Sequence, residues 1–209
     1  GKLKRYWSLF KKLILSSLTI VVSNFANMMF LYTDILIIKL LSQNENVEIA
    51  DYSFSLNITN ALILVPLTLV QVDIEKLKSK ITYLYRLNFK IRLLTFGLSI
   101  LLLLIFLGLT SVYFEEYRST LYIFLLILVA KIFQALSVSY GAHIIIGKYY
   151  LENLKINLTA LIFNVMLSFL LYDLYGLLGV ASASIFSLLL RYILLIRTSS
   201  KIQSKKSKA

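Results

Sequence analysis

The sequence has no cysteine, one histidine and one proline among its 209 residues. The absence of cysteine excludes disulfides and thiolate metal ligands, and a single histidine leaves a zinc or haem site with too few ligands. Neither a phosphate-binding glycine loop nor a metalloprotease or serine-hydrolase motif is present. We therefore expect that the protein is not an enzyme and binds no metal or cofactor.

Acidic residues are also few, ten against 22 lysines and arginines, which gives a net charge of +12. Most of the basic residues lie in four segments, residues 1–12, 73–92, 147–155 and 197–209. The loops that alternate with these segments are acidic and hold one basic residue, Arg118. Because cytoplasmic loops retain Lys and Arg, both termini are expected in the cytoplasm. The charge then indicates membrane topology and contact with anionic lipid, and it requires no nucleic acid.

Apolar residues dominate what is present: 59% of the chain is hydrophobic, and the mean hydropathy is +0.81. This content exceeds what a soluble domain of this length needs for its core. The hydrocarbon of a bilayer, ~30 Å thick, is crossed by about 20 residues of helix. The sequence therefore predicts an all-α, polytopic membrane protein with a six-helix transmembrane bundle over residues 1–197. The predicted spans cover about residues 13–41, 52–72, 93–113, 119–146, 157–171 and 177–196.

Two of the basic segments carry further predictions. Residues 74–92 alternate apolar and basic side chains at helical spacing, which predicts an amphipathic helix on the cytoplasmic interface, with a plain charged loop as the alternative. Residues 198–209 are rich in Ser and Lys and are predicted to be a disordered, basic cytoplasmic tail.

Polar residues inside the predicted spans are the candidates for a site. Lys131 lies near the middle of the fourth span, and helical spacing places Gln134 on the same face. A charge at this depth indicates function by default, with a structural ion pair as the alternative. Asp34 in the first span shares a face with Asn27. We predict a polar cavity, for which the substrate-binding candidates are Lys131, Asp34, Asn27, Asn57, Asn60, Gln134 and Asn164.

Two alternatives stay open for these residues. Each Asn could serve only as hydrogen-bonded packing between helices. Arg191 lies near the cytoplasmic end of the last span, so we expect it to reach the interface and to need no function.

A resemblance rests on motifs in the first and last spans. The hairpin from Asn157 to Arg191 has an Asn in its first helix, a G-x-x-G-x-A turn from Gly176, and alternating Ala and Ser residues after it. Y-T-D-I-L-I-I-K-L-L lies at residues 32–41, followed by A-D-Y-S-F-S at residues 50–55 and by Pro66. In this order the motifs resemble the second half of Wzx-type polysaccharide flippases, which export O-antigen and capsule repeat units. These belong to the multidrug/oligosaccharidyl-lipid/polysaccharide exporter superfamily.

The resemblance implies a transporter in the bacterial inner membrane, built from two six-helix bundles around a cationic cavity. This chain would supply one bundle, and the N-terminal half would be its missing partner; the first residue, Gly1, fits a fragment or a processed product. The implied substrate is an undecaprenyl-diphosphate-linked oligosaccharide, with Lys131 for the diphosphate and Asp34 at the acidic position of the first helix. Alternatives are a cation-coupled multidrug exporter, a non-transporting membrane assembly subunit, and an intramembrane glycosyl-transferring enzyme, for which the sequence offers no catalytic pair.

Overall fold

The computed structural model describes residues 2–79 and 82–207 and is helical almost throughout, with no strand in these ranges. The helices are α1 (Lys2–Leu41), α2 (Glu45–Val72), α3 (Ile74–Ser79), α4 (Thr82–Val112), a short 3-10 helix (Glu115–Thr120), α5 (Leu121–Ile146) and α6 (Tyr150–Ser207). Five helical segments of the described chain are long and apolar enough to cross a membrane. The predicted all-α fold is confirmed, and these segments are compatible with a multi-pass membrane protein.

The last helical segment, α6, is two helices that meet at Gly176. Gly176 has φ 56° and ψ −134°, a backbone conformation that side chains with a Cβ rarely adopt. Hydrogen bonds join Ser184 to Asn164 and Arg191 to Asn157, so the chain after the glycine runs back along the chain before it. We call residues 150–175 the first arm of α6 and residues 177–207 the second arm.

Close packing of the two arms depends on Gly179. A Cβ atom at this position would lie 2.0 Å from the carbonyl oxygen of Leu171, which belongs to the first arm. No side chain fits in that space, and a backbone oxygen cannot rotate out of the way as a flexible side chain can. The small residues that follow the turn therefore let the arms approach closely, as the sequence indicates for helices that dock in lipid.

The interior of the bundle is built around α5, which packs against α2, α4 and α6. Phe106 of α4 and Phe124 of α5 stack with their ring centroids 4.1 Å apart, and Leu62 of α2 lies in the same buried cluster. By contrast, Leu13 and Leu104 are each more than 60% exposed. Exposed leucine costs free energy in water but none against lipid tails. The surface thus suits a hydrocarbon environment.

Two predicted features at the ends of helices differ from the structure. The predicted interfacial helix over residues 74–92 is divided between α3 and the start of α4, because Leu84, Leu87 and Ile91 are buried against the bundle and continue the spanning helix. The predicted disordered tail is wrong as far as Ser207, since α6 stays helical there. Ile202 is buried in a cluster with Ile144 and Leu195, and this packing holds the extension.

The two ends of the bundle differ in charge, and we name them by it. The acidic side holds the α1–α2 connection, the 3-10 helix and the turn at Gly176. The basic side holds Asp73 at the end of α2, the start of α4 and the connection between α5 and α6.

Candidate functional site

Asp34 is the centre of a polar cluster toward the acidic side of the bundle. Its carboxylate is buried and accepts three hydrogen bonds. Tyr52 and Ser184 donate to Oδ2 at 2.5 Å and 2.6 Å, and Asn164 donates to Oδ1 at 2.9 Å. The donors come from α2 and from both arms of α6, so one carboxylate ties four helices together. We call these four residues the Asp34 cluster.

The hydrogen bonds explain how a carboxylate is accommodated in this interior. Burial removes the water that stabilises the charge, and several good donors are needed to offset that cost. Ser184 also lies 3.3 Å from the Asn164 oxygen, which closes the network. Every member is thus held by more than one contact or by a charge-assisted bond, and such a network fixes the register of its helices.

Lys131 lies on α5 and is buried, with 3% of its surface exposed. Its ammonium donates to the Gln134 side-chain oxygen at 3.1 Å. None of the ion pairs in the described ranges includes Lys131, although Asp34 is near enough to attract it electrostatically. Lys131 is therefore neither salt-bridged nor part of the cavity described next.

Arg191 of the second arm is, among the side chains that the structure describes, the other buried Lys or Arg. It is 6% exposed, its Nε donates to Asn157 Oδ1 at 2.8 Å, and its Nη1 donates to Ser137 Oγ at 2.7 Å. Asn157 and Asn153 in turn each donate to the Ser23 hydroxyl at 2.8 Å. This second network joins α1, α5 and both arms in the half of the bundle nearer the basic side.

A cavity of about 180 Å³ opens beside Arg191, between α1 and α2. It is lined by Asn24, Leu67, Val70, Gln71, Val138, Gly141, Ala142, Ile145, Asn153, Asn157 and Arg191. We call this cavity the cleft. Asn24 and Gln71 form its rim and are exposed, whereas Arg191 and the two first-arm asparagines form its floor.

The cleft closes toward the acidic side, where Tyr52 of α2 bonds to Asp34 of α1. Asn24 lies ten residues before Asp34 on α1, which is about 15 Å nearer the basic side. One wall atom also lacks a partner: the Asn153 side-chain oxygen is buried with no hydrogen bond in the described part of the chain. A buried acceptor without a hydrogen bond destabilises the structure around it.

The face of α2 beyond the cleft is polar as well. Asn57, Thr68 and Gln71 are exposed. Thr68 follows Asn57 by 11 residues and Gln71 follows it by 14, and these spacings place all three on one face of the helix. Polar side chains in an apolar span rarely face lipid. This stripe therefore suits water or the surface of another protein.

The structure places the predicted site residues in three different environments. Asp34, Lys131, Gln134 and Asn164 are buried in the interior. Asn60 is half-buried with an unpaired side-chain oxygen, and Asn57 is exposed on the α2 face. Asn27 lies in α1, but its side chain is outside the described part of the structure. None of the six whose side chains the structure describes lines the cleft, so the joint cavity stays a prediction.

Sequence reasoning missed Arg191 as a site residue. Its place near the end of a span led us to expect a side chain that reaches the interface, but the structure holds it inside by bonds to Asn157 and Ser137. One signal was present in the sequence. Ser184, Ser187 and Arg191 lie at helical spacing on one face of the second arm.

A third polar group lies at the basic end of α2. Asp73 accepts hydrogen bonds from Lys76 at 2.8 Å and from Tyr83 at 2.6 Å, and it joins α2, α3 and α4. The bond from Lys76, followed by that from Tyr83, lowers the pKa of the Asp73 carboxyl below its ordinary value. The ammonium of Lys76 also lies 5.6 Å from the centre of the Tyr83 ring. This contact fixes the connection and has no cavity beside it that the structure describes.

Comparison with known protein families, with curated proteins and with solved structures gives no match for this chain. Its function must therefore be argued from the cleft and the buried polar networks.

Proposed function

We propose that this chain is one half of a membrane transporter and that it helps to move a lipid-linked oligosaccharide from the cytoplasmic to the outer leaflet. The substrate class comes from the resemblance of the hairpin and first-span motifs to Wzx-type flippases. The observation that carries the transport proposal is the cleft, a cavity of about 180 Å³ whose largely apolar lining also carries four side-chain amides and the guanidinium of Arg191. A protein that served only as a scaffold would have no use for such a space.

In this proposal the chain crosses the membrane six times. The arms of α6 contain 26 and 31 residues by their ranges, about 39 Å and 46 Å of helix at 1.5 Å per residue. Each arm is longer than the ~30 Å of hydrocarbon. With α1, α2, α4 and α5 they make six crossings, which returns both termini to one side. The positive-inside rule assigns that basic side to the cytoplasm of a bacterial inner membrane.

The cleft suits a sugar in its chemistry. Side-chain amides both donate and accept hydrogen bonds, which matches the hydroxyl groups of an oligosaccharide. Asn24 and Gln71 offer such amides at the exposed rim. A second six-helix half would cover the polar face of α2, and rocking of one half against the other would open the cleft to each side in turn.

A membrane assembly subunit without transport is the second candidate. The Asp34 cluster favours this candidate. Its carboxylate accepts hydrogen bonds from three segments, and this structural role alone explains why those polar residues lie in the interior. The cleft is the feature that this candidate leaves without a role.

An export assay with two tryptophan variants separates these candidates. Cells that lack the gene should accumulate lipid-linked oligosaccharide on the cytoplasmic leaflet, and the wild-type gene should restore export. Asn24→Trp fills the rim of the cleft and should reduce export at least tenfold while the protein still inserts. Leu104→Trp, on the exposed face of α4, is the matched control and should export normally. Normal export by Asn24→Trp would reject the transport role of the cleft.

A further inference from the structure

The buried guanidinium of Arg191 carries a charge that nothing in the described chain neutralises. Its two hydrogen-bond partners, Asn157 and Ser137, are neutral. The ion pairs of the described ranges involve Asp73, Glu75 and Glu152, all of them with lysines. A buried cation without a counter-ion is costly, and proteins rarely keep one unless it is compensated.

The same side chain has hydrogen-bonding capacity to spare. A guanidinium has five N–H donors, of which two are used here. Arg191 lines the cleft, and its Nη2 has no hydrogen bond yet is not among the fully buried unpaired atoms of the described chain, so this nitrogen borders open space. One water needs roughly 10–15 Å³ of such space, so 180 Å³ admits several waters or a small oxyanion.

Other donors face the same space. Asn24 and Gln71 line the cleft with side-chain amides, and no hydrogen bond in the described structure uses either of them. Both carboxylate and phosphate can bind a guanidinium with two parallel bonds, but these bonds occupy both oxygens of a carboxylate and leave at least one phosphate oxygen free for other donors. A charge-bearing floor with neutral donors at the rim therefore fits a phosphate group better than a carboxylate.

We propose that Arg191 is the centre of an anion-binding site in the floor of the cleft, and that the ligand is a phosphate group. The guanidinium binds the phosphate through its free N–H donors, and Asn24 and Gln71 bind the outer oxygens. This inference rests on the proposed function only in using the same cleft. The phosphate can belong to a membrane lipid headgroup or to a water-soluble diphosphate that enters from the basic side.

Binding of inorganic diphosphate to the full chain in nanodiscs of phosphatidylcholine tests whether the ligand is a water-soluble diphosphate. Isothermal titration calorimetry should detect binding by the wild-type protein. Arg191→Gln keeps hydrogen-bonding capacity without the charge and should raise the Kd at least tenfold, which corresponds to about 1.4 kcal/mol. Arg197→Gln removes the same charge from an exposed position six residues along the same arm and should change the Kd less than twofold.

Retention of phosphatidylglycerol tests whether the ligand is the phosphate of a lipid headgroup. The wild-type chain, purified from membranes that contain this lipid, should keep one molecule in native mass spectrometry. Arg191→Gln should lose it, and Arg197→Gln should keep it. Either diphosphate binding or lipid retention that depends on Arg191 supports the proposal and identifies the source.

A third measurement needs no change at Arg191, in case that substitution prevents folding. In the cysteine-free chain, a single cysteine at Gln71 should react at least fivefold more slowly with a charged thiol reagent when diphosphate is present. Protection by succinate but not by diphosphate would overturn the phosphate assignment. Equal binding and lipid retention in Arg191→Gln and Arg197→Gln would overturn the site itself. Phosphate binding that depends on Arg191, found together with normal export by Asn24→Trp, would instead reject only the proposed function.

Discussion

Gly179→Ala is the sharpest single-residue test of the hairpin. The added Cβ would lie 2.0 Å from the Leu171 carbonyl oxygen and 2.5 Å from its carbonyl carbon. Non-bonded carbon atoms pack at about 3.5–4.0 Å, so the arms must move apart by more than 1 Å. Overpacking of this kind costs about 1–3 kcal/mol and occasionally more, and we expect at least 3 kcal/mol because the obstacle is backbone.

Two glycines of α4 supply the matched controls. A Cβ at Gly97 or at Gly108 meets no atom within 4 Å. In these positions Ala should stabilise the helix by up to about 1 kcal/mol, since glycine is the weaker helix former. The change from Gly to Ala should thus stabilise the protein in α4 and destabilise it in α6.

Reversible unfolding in sodium dodecyl sulfate, followed by circular dichroism, measures these differences. Gly179→Ala should unfold at a clearly lower detergent fraction than the wild type, and Gly97→Ala at an equal or higher one. If Gly179→Ala were as stable as Gly97→Ala, the two arms could not lie as close as described, and the turn at Gly176 would be wrong.

Three other predictions concern the polar networks. Tyr52→Phe removes one donor to the buried Asp34 carboxylate and should cost about 1–3 kcal/mol in the same unfolding assay, whereas Tyr122→Phe on the surface should cost nothing measurable. The pKa of Asp73 is lowered, so its contribution is present above the ordinary value of 3.8 and is lost as the pH falls below it; Asp73→Asn should abolish that acid-side loss in a series of unfolding midpoints. Lys131→Met keeps the side-chain volume and removes a buried ammonium whose hydrogen-bond partner is the neutral Gln134, so it should leave folding within about 1.5 kcal/mol of the wild type. Because the resemblance to flippases assigns Lys131 to the diphosphate, the same variant should abolish export. Unchanged export in that variant would make the lysine architectural.

The helices could be predicted because their signal is local. Apolar runs of 20 or more residues dictate helix in lipid whatever packs around them. The close approach of the α6 arms was also foreseeable, since Gly179 and the small residues after it leave room that larger side chains would fill. The helical extension to Ser207 was not, because it depends on burial of Ile202 against Ile144, a contact that crosses between helices.

The site was only partly predictable for the same reason. Helical spacing grouped Lys131 with Gln134, and the structure shows them hydrogen-bonded. Spacing within one helix could not show that Asp34 meets Asn164, because their pairing is set by the packing of α1 on α6. Nor could it show that Arg191 is drawn inward, since that depends on Ser137 of a third helix.

Access of water to the cleft is the most direct test of the central claim. Because the chain contains no cysteine, single cysteines can be placed without a background at Asn24, at Gln71 and, as controls, at the buried Ala160 and the lipid-exposed Leu104. A membrane-impermeant, negatively charged thiol reagent should label the two cleft positions in the membrane at least tenfold faster than either control. Labelling of Asn24 and Gln71 as slow as that of Ala160 and Leu104 would show that no aqueous cleft exists between α1 and α2.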